Sequence, residues 1–253
     1  MGNVVYLNSL ALDETKSNDY HQSGIKSIDN VVKLEFKSPP KRNSEYTSRG
    51  KLKPSAADSV KTIEEINKIK QYFLDRKEYR NYCLFIIGIT TGYRCSDLLT
   101  LRLRHFLNND YTWKEEISLL EKKTKKKRNM PITRTMKKAL TLSIKEFKKY
   151  DLNTFIFKSV RYEKENKPIG NSMVRKLFGK MAKDLNLPYH CSAHFMRKTF
   201  AYWFLQIHKN DMTALATLQE ILNHSSEEMT LKYCGVAKVK RNEMIEEWSE
   251  ILL

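Results

Sequence analysis

From Thr62 onward, apolar positions recur at helical spacing. Thr62-Ile63-Glu64-Glu65 has the Thr-x-x-Glu form of a capping box, and Ile63, Ile66, Ile69 and Phe73 follow on one face. Tyr82 to Ile89 is apolar nearly all round, which predicts a buried helix ending near Gly92. Ser96 is placed to cap a short helix that turns Leu98, Leu99 and Leu101 inward. Then the period changes. Trp113 to Leu120 and Asn129 to Ile132 read as two short strands, and the polar segment between them makes a hairpin. Met136, Leu140, Ile144 and Phe147 mark another amphipathic helix, and Phe155-Ile156-Phe157 reads as a third short strand. A polar loop over residues 158–170 leads to a helix capped by Asn171, with Val174, Leu177, Met181 and Leu185 inside.

Pro188 stops that helix, and Ser192 opens one that carries His194 and Arg197 before the apolar run Phe200 to Ile207. Leu215, Leu218, Ile221 and Leu222 define the next helix. Ser225-Ser226-Glu227-Glu228 has the form of a second capping box, which puts Tyr233 near the end of a short helix. Met244, Ile245, Trp248, Ile251 and Leu252 form a last apolar stripe. Helices dominate and no internal repeat is visible. The expected class is mainly α with a small antiparallel β-sheet, an α+β fold.

Residues 1–60 do not share this order. Short apolar patches stand among polar residues, and Lys37 to Asp58 carries Pro39, Pro40 and Pro54 with many Ser, Lys and Arg. Such a composition buries too little surface to offset chain entropy. The expected organisation is a poorly ordered basic extension over 1–60 and a folded domain over 61–253.

Charge narrows the partners. The 253 residues hold 46 Lys+Arg against 29 Asp+Glu, a net charge of +17. Such an excess calls for a polyanion, of which nucleic acid is the usual one. Between the predicted strands, Lys122-Lys123-Thr124-Lys125-Lys126-Lys127-Arg128 has six basic residues in seven. No apolar run reaches the roughly 18 residues of a membrane span, and the N-terminus lacks the pattern of a signal peptide. Cys83, Cys95, Cys191 and Cys234 show no CxxC pairing and read as reduced thiols, with no metal site expected. The expected location is cytoplasmic, on the nucleoid.

His194, Arg197, His224 and Tyr233 fall within one stretch, and Arg94 lies upstream in Thr91-Gly92-Tyr93-Arg94-Cys95-Ser96-Asp97. This set suits attack on a phosphodiester. A phenol with a pKa of about 10 is ionised in only about one molecule in a thousand at neutral pH. An imidazole can take its proton. Two guanidiniums can hold the charge that develops on the non-bridging oxygens, and a lysine can protonate the departing oxygen. His194 and Arg197, three apart, share one helix face. Taken singly, each residue has an ordinary reading: a packed tyrosine, structural histidines, a surface arginine, a solvated lysine turn.

The order of these segments resembles the tyrosine recombinase family, the phage-type integrases. Thr91 to Leu99 is similar to its first arginine box. His194-Phe195-Met196-Arg197 is similar to its His-x-x-Arg box. Leu222-Asn223-His224-Ser225 resembles its Leu-Gly-His-Ser box, and Thr230-Leu231-Lys232-Tyr233 its nucleophile box. The likeness covers about residues 62–240 and implies the family's catalytic-domain fold. It implies that Tyr233 attacks the scissile phosphate, leaving a 3′-phosphotyrosine and a free 5′-hydroxyl. Arg94 and Arg197 would bind the non-bridging oxygens, His194 would accept the phenolic proton, His224 would hydrogen-bond the phosphate, and Asp97 would orient the site from behind. The turn lysine aligned with the family's general acid is Lys123, with Lys126 as the alternative. Lys122, Lys125, Lys126, Lys127 and Arg128 would bind DNA.

The resemblance further implies no metal, no nucleotide cofactor and no membrane. The implied partner is double-stranded DNA, bound by a homotetramer on two sites that docks through the C-terminal tail, with an accessory DNA-bending protein as a possible helper. The implied activity is site-specific recombination. Type IB topoisomerase activity and an inactive, integrase-derived regulator use the same residue types and remain alternatives. Two departures stand out. Asn223 replaces the usual glycine, which is expected to crowd the backbone beside His224. The family's usual N-terminal core-binding domain is not recognisable in residues 1–60.

Overall fold

The computed structural model describes residues 58–159, 165–234 and 248–250. Order takes hold before the Thr62 capping box. Val60 is fully buried; its N–H donates to Thr199 Oγ1 at 3.0 Å, and its carbonyl accepts from Trp203 Nε1 at 3.0 Å. Helix α1 (Ile63–Asp75) is capped as the sequence predicts, with Thr62 Oγ1 accepting the Glu65 N–H at 3.1 Å. Its buried face is Ile69, Tyr72 and Phe73, while Ile63 is exposed at the helix start.

Helix α2 (Tyr79–Thr91) is the centre of the core and is buried along most of its length, from Asn81 to Gly88 and at Thr91. It ends on Gly92, whose φ of 60° is the left-handed cap that a β-carbon opposes. Helix α3 (Cys95–Leu98) is capped by Arg94, not Ser96. The chain leaves α2 in extended conformation at Arg94, so the helical turn starts two residues sooner than the Ser96 signal implies. Leu98, Leu99 and Leu101 are buried as expected.

Strands β1 (Glu116–Leu120) and β2 (Lys127–Pro131) pair antiparallel, with Ser118 opposite Asn129 and Leu119 opposite Arg128. The expected third strand does not form among the described residues. Phe155 makes only an isolated bridge to Arg102, and Lys158 another to Pro168, so this apolar segment lines the core as a bridged loop. Helix α4 (Arg134–Ile144) buries Met136, Leu140 and Ile144, capped by Thr133.

Helix α5 (Asn171–Asp184) starts one residue before the sequence signal: Gly170 holds the cap position and Asn171 is the first helical residue. Helix α6 (Phe195–Ile207) has His194 at its N-cap; Ser192 closes the turn before it, through its carbonyl to the Phe195 N–H at 3.1 Å. Helices α7 (Ala214–Leu222) and α8 (Glu227–Cys234) follow. Ser226 Oγ caps α8 by accepting the Met229 N–H at 3.2 Å.

α2 packs against α1, α4 and α6. The α2–α6 contact is close because α2 presents glycines. A β-carbon on Gly88 would stand 2.5 Å from Met196 Sδ, and one on Gly92 would stand 2.3 Å from the Phe200 ring. Phe85, Phe178 and Phe195 join α2, α5 and α6 through a stacked and an edge-on ring contact. The fold is thus mainly helical with a two-stranded antiparallel sheet. No described helix is long and apolar enough to cross a membrane. Residues 1–57 and the C-terminal stripe, apart from an exposed Trp248, lie outside the described residues.

Candidate active site

Five chain segments deliver polar groups to one place: the α2–α3 junction, the hairpin turn, the start of α6, the end of α7, and α8. Arg197, on the first turn of α6, is 3% exposed. Its Nη1 donates to the Gly92 carbonyl at 2.8 Å and its Nη2 to the Leu222 carbonyl at 2.6 Å. Both carbonyls sit at helix C-termini, where the dipole favours a cation. One guanidinium therefore ties the ends of α2 and α7 together. Burial lowers its pKa to about 10, and the neighbouring Arg94 and Arg128 push in the same direction.

Arg94 leaves the α2 cap in extended conformation and sends Nη1 to Glu121 Oε2 at 2.6 Å. Glu121, just past β1, is fully buried. Its Oε2 also accepts from Thr124 Oγ1 at 2.7 Å and Asn223 Nδ2 at 3.1 Å. Its Oε1 lies 3.6 Å from Arg128 Nη1 and 4.0 Å from Arg197 Nη1. Burial alone would raise the Glu121 pKa; the Thr124 and Arg94 hydrogen bonds and the surrounding arginine charges reverse that and hold it below the usual value.

Asp97 is buried, and its Oδ1 accepts the Lys122 N–H at 3.0 Å, fastening the start of the turn to α3. His194 is exposed at the head of α6. Partial loss of water, then the charges of Arg197, Lys198, Arg94 and Lys123, depress its pKa. His224 is half-buried after α7, with Nδ1 3.1 Å from Thr230 Oγ1. Burial, then Arg197 and Arg94, lower its pKa to about 4. Both imidazoles are therefore neutral at pH 7 and each has a lone pair to offer.

Tyr233 lies near the end of α8, packed against the buried cluster of Ala201, Leu218, Leu222 and Cys234. Its hydroxyl is buried and makes no hydrogen bond of full geometry, although the Arg197 guanidinium stands near enough to act on it. Burial raises its pKa to about 12, against the opposing charges of Arg197 and Arg94. Lys198 Nζ stands 5.6 Å from the centre of its ring.

The structure thus brings Arg94, Asp97, His194, Arg197, His224 and Tyr233 together. Lys123 is exposed on the turn, close enough for its charge to act on His194; Lys122, Lys125, Lys126 and Lys127 are exposed as well. Arg128 is a correction to the sequence reading. It is buried on β2, stacked over the Tyr93 ring at 4.5 Å, and donates to the Thr91 carbonyl, so it braces the α2 end and does not belong to the exposed turn. Asn223 is a second correction. It adopts φ 48° and ψ 46° as the α7 cap. That left-handed conformation is the one asparagine tolerates best after glycine, so the backbone is not crowded. The residue overlooked in the sequence is Glu121. Its one signal is a lone acid between an apolar strand and a lysine run, where an ordinary lysine partner is the simpler reading.

Residues 59–239 match the phage integrase family. The chain belongs to this family. Among curated proteins similar to this phage integrase family member is the probable integrase/recombinase YoeC of Bacillus subtilis, 36% identical over 70% of this chain and 88% of YoeC. The tyrosine recombinase XerC of Rickettsia conorii is 29% identical over 81% of this chain, which spans 61% of the XerC length. Among solved structures, XerA recombinase superposes with a TM-score of 0.57 at 19% identity, covering 77% of this chain and 65% of XerA. The Tn1549 transposon integrase, in complex with transposon right end DNA, gives 0.56 at 20% identity over 76% of this chain and 67% of its own. At such identities the structural likeness shows a shared fold.

Proposed function

We propose that this chain is a site-specific DNA recombinase that cuts and rejoins DNA through Tyr233, without metal or ATP. The observation that carries this reading is a phenol, two neutral imidazoles and two guanidiniums gathered from four segments at one place. Arg94 and Arg197 supply the fixed positive charge that a metal would otherwise bring to the non-bridging oxygens. With a pKa of about 12, the phenol is ionised in only about one molecule in a hundred thousand at pH 7, so it needs a base. His194, neutral and exposed, takes the proton as the phenolic oxygen bonds to phosphorus. His224, with Nδ1 accepting from the Thr230 hydroxyl, donates its Nε2–H to a phosphate oxygen. Lys123 gives a proton to the departing 5′-oxygen; its charge already acts on His194, which favours it over Lys126. Asp97 holds the base of the turn. The phosphotyrosine conserves the bond energy, and attack by a 5′-hydroxyl reverses each step.

Lys122, Lys125, Lys126 and Lys127 would follow the DNA backbone from the hairpin. Double-stranded DNA as the partner is supported by the Tn1549 integrase having been solved on transposon DNA. Residues 61–253 would form the catalytic domain and residues 1–60 a basic extension. The C-terminal stripe would dock on a neighbouring protomer in a tetramer on two sites, and an accessory DNA-bending protein would fit the same assembly.

The test is a suicide-substrate assay with nicked DNA from the flanks of the gene, in EDTA, on a denaturing gel. A shifted covalent band in wild type that is absent in Tyr233→Phe is expected. A band that persists in Tyr233→Phe, or one that requires added metal, overturns the reading.

A further inference from the structure

Glu121 bonds Arg94, Thr124 and Asn223 and lies beside Arg128 and Arg197 without being a reacting group. One carboxylate oxygen collects three donors: Arg94 Nη1 at 2.6 Å, Thr124 Oγ1 at 2.7 Å and Asn223 Nδ2 at 3.1 Å. The other has no hydrogen bond and lies 3.6 Å and 4.0 Å from the Arg128 and Arg197 guanidiniums. A buried carboxylate costs a great deal unless it is paired, and three guanidiniums crowded together repel one another unless an anion lies among them. Each solves the problem of the other. An oxygen 2.6 Å from a guanidinium nitrogen also has the short geometry of a charge-assisted bond, the kind a phosphate oxygen makes.

We propose that Glu121 is the resident counter-anion of this site, seated on Arg94 where a phosphate oxygen would bind. A backbone phosphate that takes this Nη1 donor then does so as Glu121 yields the bond. This rests on the reading that Arg94 receives the scissile phosphate. Because the same oxygen holds Thr124, phosphate arrival also releases the turn that carries Lys123. Charge neutralisation at the arginine and placement of the lysine become one event. The Asn223 contact extends the coupling to the end of α7, next to His224.

A bracing ion pair alone predicts the opposite response to mutation. With bracing only, removing the charge of Glu121 lets the guanidiniums separate, and anion binding weakens or stays unchanged. With a resident counter-anion, removing the charge frees Arg94, and anion binding tightens. The experiment titrates inorganic phosphate into the full chain at constant ionic strength and pH 7.5, by calorimetry. Glu121→Gln keeps the shape of the side chain, and its half-saturating phosphate concentration should fall about tenfold. Thr124→Val removes one of the three donors, loosens the same oxygen and should lower it about twofold. Arg94→Gln should abolish the response in either background.

Unchanged or weaker phosphate binding in both variants overturns the proposal, and Thr124→Val decides it alone where Glu121→Gln does not fold. The outcome is separable from that of the recombinase reading. Tighter phosphate binding without a Tyr233–DNA adduct leaves the counter-anion standing and removes the recombinase. An adduct without tighter binding does the reverse.

Discussion

The imidazole of His224 meets the ring of Tyr233 edge-on, with centroids 5.2 Å apart and planes inclined at 71°. This contact places His224, in the turn after α7, side by side with Tyr233 near the end of α8. It also keeps both rings in a dry, positively charged setting, and that setting governs how each responds to protons.

The first prediction concerns acid. The His224 pKa is about 4 in the folded chain against about 6.5 when unfolded. Between those values the unfolded chain binds the extra proton, so stability contributed by this group is intact above about pH 6.5 and is lost as pH falls toward about 4. His194, also depressed, acts in the same direction. Denaturant midpoints at pH 7.5, 6 and 5 should therefore fall in wild type and fall less in His224→Gln. Equal slopes in the two proteins would show that His224 is not held neutral.

A second prediction concerns the nucleophile as a structural element. The Tyr233 hydroxyl is buried with no hydrogen bond of full geometry, a situation that costs about 1–3 kcal/mol. Tyr233→Phe removes the orphan group and keeps the ring on the cluster of Ala201, Leu218, Leu222 and Cys234. The variant should match or exceed wild type by about 1 kcal/mol, raising the melting temperature by about 2–4 °C. A clear loss of stability would mean that the hydroxyl has a partner in solution.

Asn223 gives a third. It combines a left-handed backbone with a side-chain bond to Glu121. Asn223→Gly keeps the first and loses the second; Asn223→Ala loses both. Alanine should therefore be less stable than glycine by about 1 kcal/mol, measured by urea denaturation. Equal stabilities would show that backbone conformation at this cap is immaterial.

Much of this site was legible from residue order alone. Arg94, His194, Arg197, His224 and Tyr233 stand in short local patterns, and capping signals at Thr62 and Gly92 located the α1 start and the α2 end correctly. What stayed hidden depends on distance across the fold. Nothing local tells Arg128 from the lysines beside it, since its burial comes from the ring of Tyr93 and the carbonyl of Thr91. Glu121 draws its meaning from arginines on three other segments. The segment Phe155-Ile156-Phe157 has the composition of a strand, yet pairing needs a neighbour in register, and the chain supplies only isolated bridges there.

The two glycines of α2 carry a final consequence. Gly88 and Gly92 are one helical turn apart, and Met196 and Phe200 of α6 rest on them with the same spacing. Arg94 follows the second glycine by two residues, and Arg197 lies between the two α6 side chains. The two phosphate-binding candidates are thus mounted on a single knob-and-socket joint. Their spacing is set by the thickness of a backbone, not by the reach of flexible side chains, and a methyl group added at either socket would be felt as a misaligned pair of charges.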